Sequence, residues 1–139
     1  MLGEEHVAEL EQVSVFLENR PGCLADLARV LADRGVNLRA LTIAETERFG
    51  IARLIADDTP AALAALGEAG LRAAVSRVVA VEVPDRPGGL SHLLAVFDGQ
   101  VSVEYLYAAF QADGGRRVMI MKLTPAERAL ELIGTLYEG

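Results

Sequence analysis

A Pro-Gly pair followed by an amphipathic helix of set length occurs twice in this chain of 139 residues, and that repetition restricts the folds open to it. The first copy, Glu18 to Leu38, reads ENRPGCLADLARVLADRGVNL; the second, Asp85 to Val103, reads DRPGGLSHLLAVFDGQVSV. Pro87-Gly88 stands 66 residues after Pro21-Gly22, Gly99 stands 64 after Gly35, and Thr124-Pro125 stands 65 after Thr59-Pro60. A self-similar period of this size means two copies of one supersecondary design. Leu24, Leu27, Ala28 and Leu31 fall at i, i+3, i+4 and i+7, which predicts a stripe laid on a sheet, with Asp26, Arg29 and Asp33 toward water. Leu90, Leu93, Leu94 and Phe97 repeat the stripe. Each Pro-Gly turn delivers unpaired N–H groups at the positive end of a helix, an arrangement suited to a carboxylate.

Around these helices the pattern alternates. Val13, Val15 and Leu17 interleave with Ser14, Phe16 and Glu18, which predicts a half-buried strand from Gln12 to Glu18, and the four Glu among the first dozen residues read as a frayed arm before it. Leu38 to Thr46 and Ile51 to Ala56 flank Glu47-Arg48-Phe49-Gly50 as a hairpin. Thr59-Pro60 then reads as an N-cap and first helical residue before an Ala-rich helix that Gly70 ends. Leu71 to Val83 holds no Gly or Pro, enough for the last strand of one module and the first of the next nearly end to end. Val101 to Phe110 and Arg117 to Leu123 flank a Gly114-Gly115 hairpin, and a capping box at Thr124-Pro125-Ala126-Glu127 opens the final helix, striped by Ala126, Leu130, Ile133 and Tyr137. The expected domains are therefore 12–77 and 78–139. Each is a split βαβ module with an antiparallel sheet and both helices on one face, an α+β class, and the second lacks its last strand.

Composition excludes several functions. A net charge of −7 repels nucleic-acid backbones and anionic membranes. One cysteine rules out an internal disulfide and multi-cysteine metal sites, and two isolated histidines make no metal centre. No apolar run approaches the ~20 residues of a membrane span, and the acidic opening MLGEEHVAELEQ is no secretory leader, so the expected location is the cytoplasm. No nucleophile–base pair, metal cluster or phosphate loop is visible, so a non-catalytic protein without a cofactor is expected.

The stretch VSVFLENRPGCLADLARVLADRGVNLRALTI closely resembles the ACT domain, the small amino-acid-sensing module attached to enzymes such as phosphoglycerate dehydrogenase. The resemblance extends from Gln12 to Tyr137, more loosely in the second copy. It implies two ferredoxin-like modules that pair side by side and hold a free amino acid at the strand-1 to helix-1 loops. Asn19 and Asn37 match two asparagines that hold ligand in serine-sensing members, whereas the histidine those members carry two residues before the first asparagine is Leu17 here. That exchange implies a ligand more apolar than serine, with Phe16, Leu38 and Tyr105 as candidate walls.

In the second copy Asp85 stands at the place of Asn19 and Ser102 at that of Asn37, so the two loops are chemically unequal. The candidate site is Asn19, Arg20, Pro21, Gly22, Cys23, Leu24, Asn37 and Leu38, with Asp85, Arg86, Pro87, Gly88, Gly89, Leu90 and Ser102. On composition alone the asparagines read as loop and cap residues, which only the resemblance reverses, and Arg20 and Arg86 either clamp a carboxylate or sit in solvent. The implied partners are a small amino acid and a second copy of the chain, or an amino-acid biosynthetic enzyme onto which the chain docks as a subunit. A homodimer is expected on a further ground: without a last strand in the second module, Val79 to Val83 is left as an apolar edge, which the seam with the first module or strand pairing by a second chain would cover.

Overall fold

The alternation of Val13, Val15 and Leu17 does form a strand, but it starts at Val7 and runs unbroken to Glu18; this strand, β1 (Val7–Glu18), shapes both halves of the molecule. The computed structural model describes residues 6–45, 48–112 and 114–137, so Glu47 and Asp113 of the two expected hairpin turns lie outside the described residues. The chain divides into two compact units: one is Glu11–Ser76, and the other joins the residues up to Leu10 to those from Arg77 onward.

The unit Glu11–Ser76 contains the later part of β1, then α1 (Cys23–Ala32), β2 (Leu38–Glu45), β3 (Phe49–Ala56), α2 (Thr59–Glu68) and the start of β4 (Ala73–Pro84). Its sheet runs β2-β3-β1-β4. Val13 faces Leu54 and Leu17 faces Gly50 across the β1–β3 pair, and Ile43 faces Ala52 across β2–β3. This register sends Val13, Val15, Leu17, Ala52 and Leu54 to one face, where Leu27 and Leu31 of α1 and Ala62, Ala65 and Leu66 of α2 cover them. The small residues of α2 let it lie close on the sheet.

Two local expectations need correction. Leu24 and Ala28 do not join the buried stripe; Leu24 is 40% exposed, because it lies in the first turn beside the edge strand β2, where Ile43 is equally exposed and nothing covers either. The cap of α2 is Asp58, not Thr59: the Asp58 carboxylate accepts the Ala61 N–H at 3.0 Å, which puts Thr59 and Pro60 inside the first turn.

The second unit contains the rest of β4, then α3 (Gly89–Ala95), β5 (Ser102–Ala112), β6 (Arg116–Thr124) and α4 (Ala126–Tyr137), with a sheet ordered β1-β4-β6-β5. Val81 faces Met119 and Leu106 faces Met121. Val79, Val81, Val83, Met119, Met121 and Leu123 pack against Leu93 of α3, Phe97 just after it, and Ala129 and Ile133 of α4. Each unit is thus a split βαβ arrangement with its helices on one face of an antiparallel sheet.

No strand follows α4 among the described residues. The place beside β4 is taken by the opening residues of β1: the Glu82 N–H donates to the His6 carbonyl at 2.9 Å. From His6 onward the arm read as frayed is ordered, and the edge read as unpaired is paired within the same chain, so the edge-strand argument for a homodimer falls. A side-chain clasp holds the arm. His6 Nδ1 lies 2.8 Å from the Glu82 carboxylate, Arg116 reaches the same oxygen at 3.4 Å, and Tyr137 stacks on the His6 ring at 5.0 Å while its hydroxyl donates to the Glu82 carbonyl. Every member of this cluster lies within the second unit.

Deleting residues 1–10 is expected to speed hydrogen exchange at the Glu82 amide by roughly tenfold or more, because a lost strand bond plus its packing exceeds ~1.4 kcal/mol. Unchanged exchange in the deletion variant would show that the arm contributes nothing to the second sheet. Burial, and after it the Glu82 charge, raise the Tyr137 phenol above its ordinary 10.0, with Arg116 opposing. A raised folded-state value stabilises the fold fully below pH 10 and loses that contribution as pH rises through the raised value. Urea midpoints measured from pH 8 upward should therefore fall above about pH 10 in the parent protein and fall less steeply in Tyr137→Phe.

Candidate functional site

In the first module the chain leaves β1 at Glu18 and enters α1 at Cys23 through a turn fastened at both ends. The Asn19 N–H donates to the Arg48 carbonyl at 2.9 Å, the Arg20 N–H to the Glu18 carbonyl at 3.0 Å, and the Cys23 N–H to the Arg20 carbonyl at 3.3 Å. Gly22 caps the helix with φ at 89°, a left-handed conformation costing a side-chain-bearing residue roughly 1–2 kcal/mol. Gly88 repeats it at φ 89° before α3, so the same turn is built twice.

Cavities open on both sides of the first turn. A small one of 140 Å³ is bounded by Asn19, Arg20, Cys23 and Leu24 from the loop and helix start, with Ile43 and Glu45 from the end of β2. A larger one of 500 Å³ on the other side takes Arg20 and Cys23 together with Phe16, Asp26, Arg29 and Arg72. Pro21 and Gly22 shape the turn and line neither. Arg20 pairs with Glu18 at 3.3 Å in an exposed position, a contact too weak to withhold its guanidinium from a ligand.

Asn37 and Leu38 lie elsewhere. They follow the far end of α1, ten residues long and so about 15 Å from its start, and Asn37 is fastened there: its N–H donates to the Asp57 carboxylate at 2.9 Å and its carbonyl accepts the Asp57 N–H at 3.0 Å. Leu38 faces Ala56 at the same end of the sheet. Within one module Asn19 and Asn37 are not brought together.

Around the second turn, Arg86, Pro87, Gly88 and Gly89 line a 240 Å³ cavity with Pro84 and His92. Asp85 is not among its walls; its carboxylate meets Arg117 at 3.2 Å and its N–H donates to the Gly115 carbonyl. Leu90 packs partly buried against the core, and Ser102 starts β5 opposite Thr124, at the far end of that sheet. Among the described residues no group of three or more His, Cys, Asp or Glu is placed to hold a metal, and no helix is long and apolar enough to cross a membrane.

The residues missed in the sequence are Ile43 and Glu45. Glu45 faces Gly50, which faces Leu17, so strand register carries it beside the Asn19 loop; pairing β2 against β3 from the Gly50 turn would have found it. Among the described residues Glu45 has no ion-pair partner. The small cavity therefore offers carboxylate oxygen for an ammonium, guanidinium and helix-end N–H groups for a carboxylate, and the exposed Leu24 and Ile43 for an apolar side chain.

Two split βαβ modules in one chain, each entering its first helix through a Pro-Gly turn beside a cavity, define a tandem ferredoxin-like module protein. The chain belongs to the ACT domain pair family, whose match spans residues 8–136. Its fold is similar to that of protein BT0572 from Bacteroides thetaiotaomicron, at 30% identity and a TM-score of 0.86 over 96% of this chain and 92% of that one. It is also similar to the regulatory subunit of aspartate kinase from Thermus thermophilus in its ligand-free form (21% identity, TM-score 0.66, 95% and 97% covered) and to that from Thermus flavus (21%, 0.59, 96% and 97%). No functionally curated protein matches the chain significantly.

Backbone demands at the turn give a direct test. Gly22→Ala should lower stability by about 1–2 kcal/mol in chemical denaturation, whereas Gly67→Ala, in α2 with open space around the new methyl, should raise it by about 0.5–1 kcal/mol. Equal effects at the two positions would mean that the left-handed turn imposes no cost.

Proposed function

We propose that this chain is a non-catalytic regulatory protein that senses a free amino acid at the loop between β1 and α1 of its first module. The observation that carries the reading is the small cavity where Asn19, Arg20, Glu45, Leu24 and Ile43 meet, since it holds a complementary group for each part of a zwitterion bearing an apolar side chain. Two or three charge-assisted hydrogen bonds of roughly 1.5–3 kcal/mol each sustain micromolar binding after ordering costs. Asn37 enters such a site only from another module, because α1 separates it from Asn19 in its own; a homodimer that pairs modules side by side supplies it. The cytoplasm is the proposed setting, in keeping with the single free thiol of Cys23.

A second reading, a regulatory subunit docked on an amino-acid biosynthetic enzyme, is favoured by the sheet face away from the helices of the first module. Phe16 and Phe49 are 55% and 54% exposed there, beside a 570 Å³ apolar hollow bordered by Ala44, Ile51 and Arg72. Large exposed apolar patches mark interaction surfaces. The fold shared with regulatory subunits of aspartate kinase is in keeping with that reading.

A thermal-shift panel of the twenty common amino acids separates the two. A ligand at a hundred times its Kd adds ~2.7 kcal/mol to the folded state. The sensor reading expects a shift with free amino acids alone; the docking reading expects one only with the partner enzyme present. Calorimetry should rank leucine, valine, methionine or phenylalanine above serine, because Leu17, Leu24 and Ile43 surround the side-chain position. Asn19→Ala should weaken binding roughly tenfold or more with the fold intact by circular dichroism. Full affinity in that variant would remove the loop from the site.

A further inference from the structure

On the sheet face away from the helices of the first module, Ala44, Ile51, Phe16 and Arg72 form one row across β2, β3, β1 and β4. Ala44 faces Ile51, Ile51 faces Phe16, and the Phe16 N–H donates to the Arg72 carbonyl. The duplication supplies a counterpart. Glu82 stands 66 residues after Phe16 and His6 stands 66 before Arg72, and the Glu82 N–H donates to the His6 carbonyl in the same way. There the place is filled: Glu82 is 7% exposed, with His6 and Arg116 on its carboxylate. In the first module it is open, with Phe16 at 55%, and among the described residues Arg72 has no ion-pair partner. We infer that this open hollow takes a small aryl monocarboxylic acid without an α-ammonium group. The inference goes beyond the sensor reading and gives the hollow a smaller occupant than the docking reading does.

Size favours a small molecule. The hollow measures 570 Å³, within the ~300–1,000 Å³ of small-molecule sites, and six residues border it, against roughly 20–30 a side in a stable protein interface. Phe16 faces Ile51 and Phe49 faces Glu18, so the two rings stand diagonally on neighbouring strands and wall a trough floored by Ile51 and the short Ala44. Ring walls suit an aryl body through offset or edge-to-face packing. The Arg72 guanidinium takes a carboxylate through two parallel N–H bonds. The carboxylate bordering the hollow, Glu45, comes from β2, three strand spacings or ~14 Å from Arg72 at the backbone. An α-ammonium lies next to its carboxylate and so meets Phe16 and Phe49 there, not Glu45, while a second carboxylate at the far end would meet the Glu45 charge. The hollow therefore selects against α-amino acids and against dicarboxylates.

Calorimetry of the full chain with 3-phenylpropanoate tests this. Saturable binding is expected, with 3-phenylpropan-1-ol and hexanoate each at least tenfold weaker. Arg72→Gln should weaken the acid at least tenfold and leave the alcohol where it was. Asn19→Ala should hold 3-phenylpropanoate as wild type does, and in that variant phenylalanine should bind at least tenfold more weakly than the acid. No saturable binding, full affinity in Arg72→Gln, or hexanoate held as tightly would overturn the inference. Loss of the acid in Asn19→Ala would place the probe at the loop between β1 and α1 and overturn it too. So would sedimentation of wild type at twice 14.8 kDa with Phe16→Ser at half that mass, since a second copy would then cover the face. Each of these outcomes leaves the sensor reading standing, because that reading turns on amino-acid binding at Asn19.

Discussion

The pairing of β1 with β4 is the interaction on which the rest of the structure depends. One backbone bond marks it in each unit, from the Glu82 N–H to the His6 carbonyl in one and from the Phe16 N–H to the Arg72 carbonyl in the other. In the unit Glu11–Ser76 the pair places β1 between β3 and β4; in the other unit it places β4 between β1 and β6. A split βαβ sheet of three strands would leave a row of buried valines beside unpaired backbone, which costs more than a short arm's ordering entropy. The arm is held accordingly, by main-chain bonds and by the His6, Glu82, Arg116 and Tyr137 clasp.

That economy bears on function. The strand whose start completes the second module ends in the turn that carries Asn19, so one twelve-residue segment serves sheet pairing at one end and the Asn19 turn at the other. The proposed recognition needs both signs of charge in a small space, and the chain, acidic overall, has them by register: Glu45 from the end of β2 and Arg20 from the turn border one cavity with Leu24 and Ile43. The exposed apolar residues Leu24 and Ile43 sit beside the edge strand β2 or on it.

Duplication made two turns of one backbone form and substitution made them different. Gly22 and Gly88 share a φ of 89°, which shows how strictly the turn is inherited. Cys23 and Gly89 differ by one side chain, and Asn19 and Asp85 by one charge, so the same turn carries different chemistry in the two modules.

Sequence by itself determined the duplication, the element types, the position of both Pro-Gly turns and the core stripes Val13-Val15-Leu17 and Val79-Val81-Val83, because these are written in local periodicity and in residues with narrow backbone preferences. It also placed Asn19 and Arg20 in the first turn. Tertiary structure alone decided three things. It filled the missing strand with the residues that open β1, since strand pairing is set by which edge lies nearby and leaves little local mark in an arm of mixed polarity. It parted Asn37 from Asn19, since a ten-residue helix carries its two ends to opposite ends of the sheet. It brought Glu45 beside Asn19, since cross-strand register joins residues that no spacing along the chain connects.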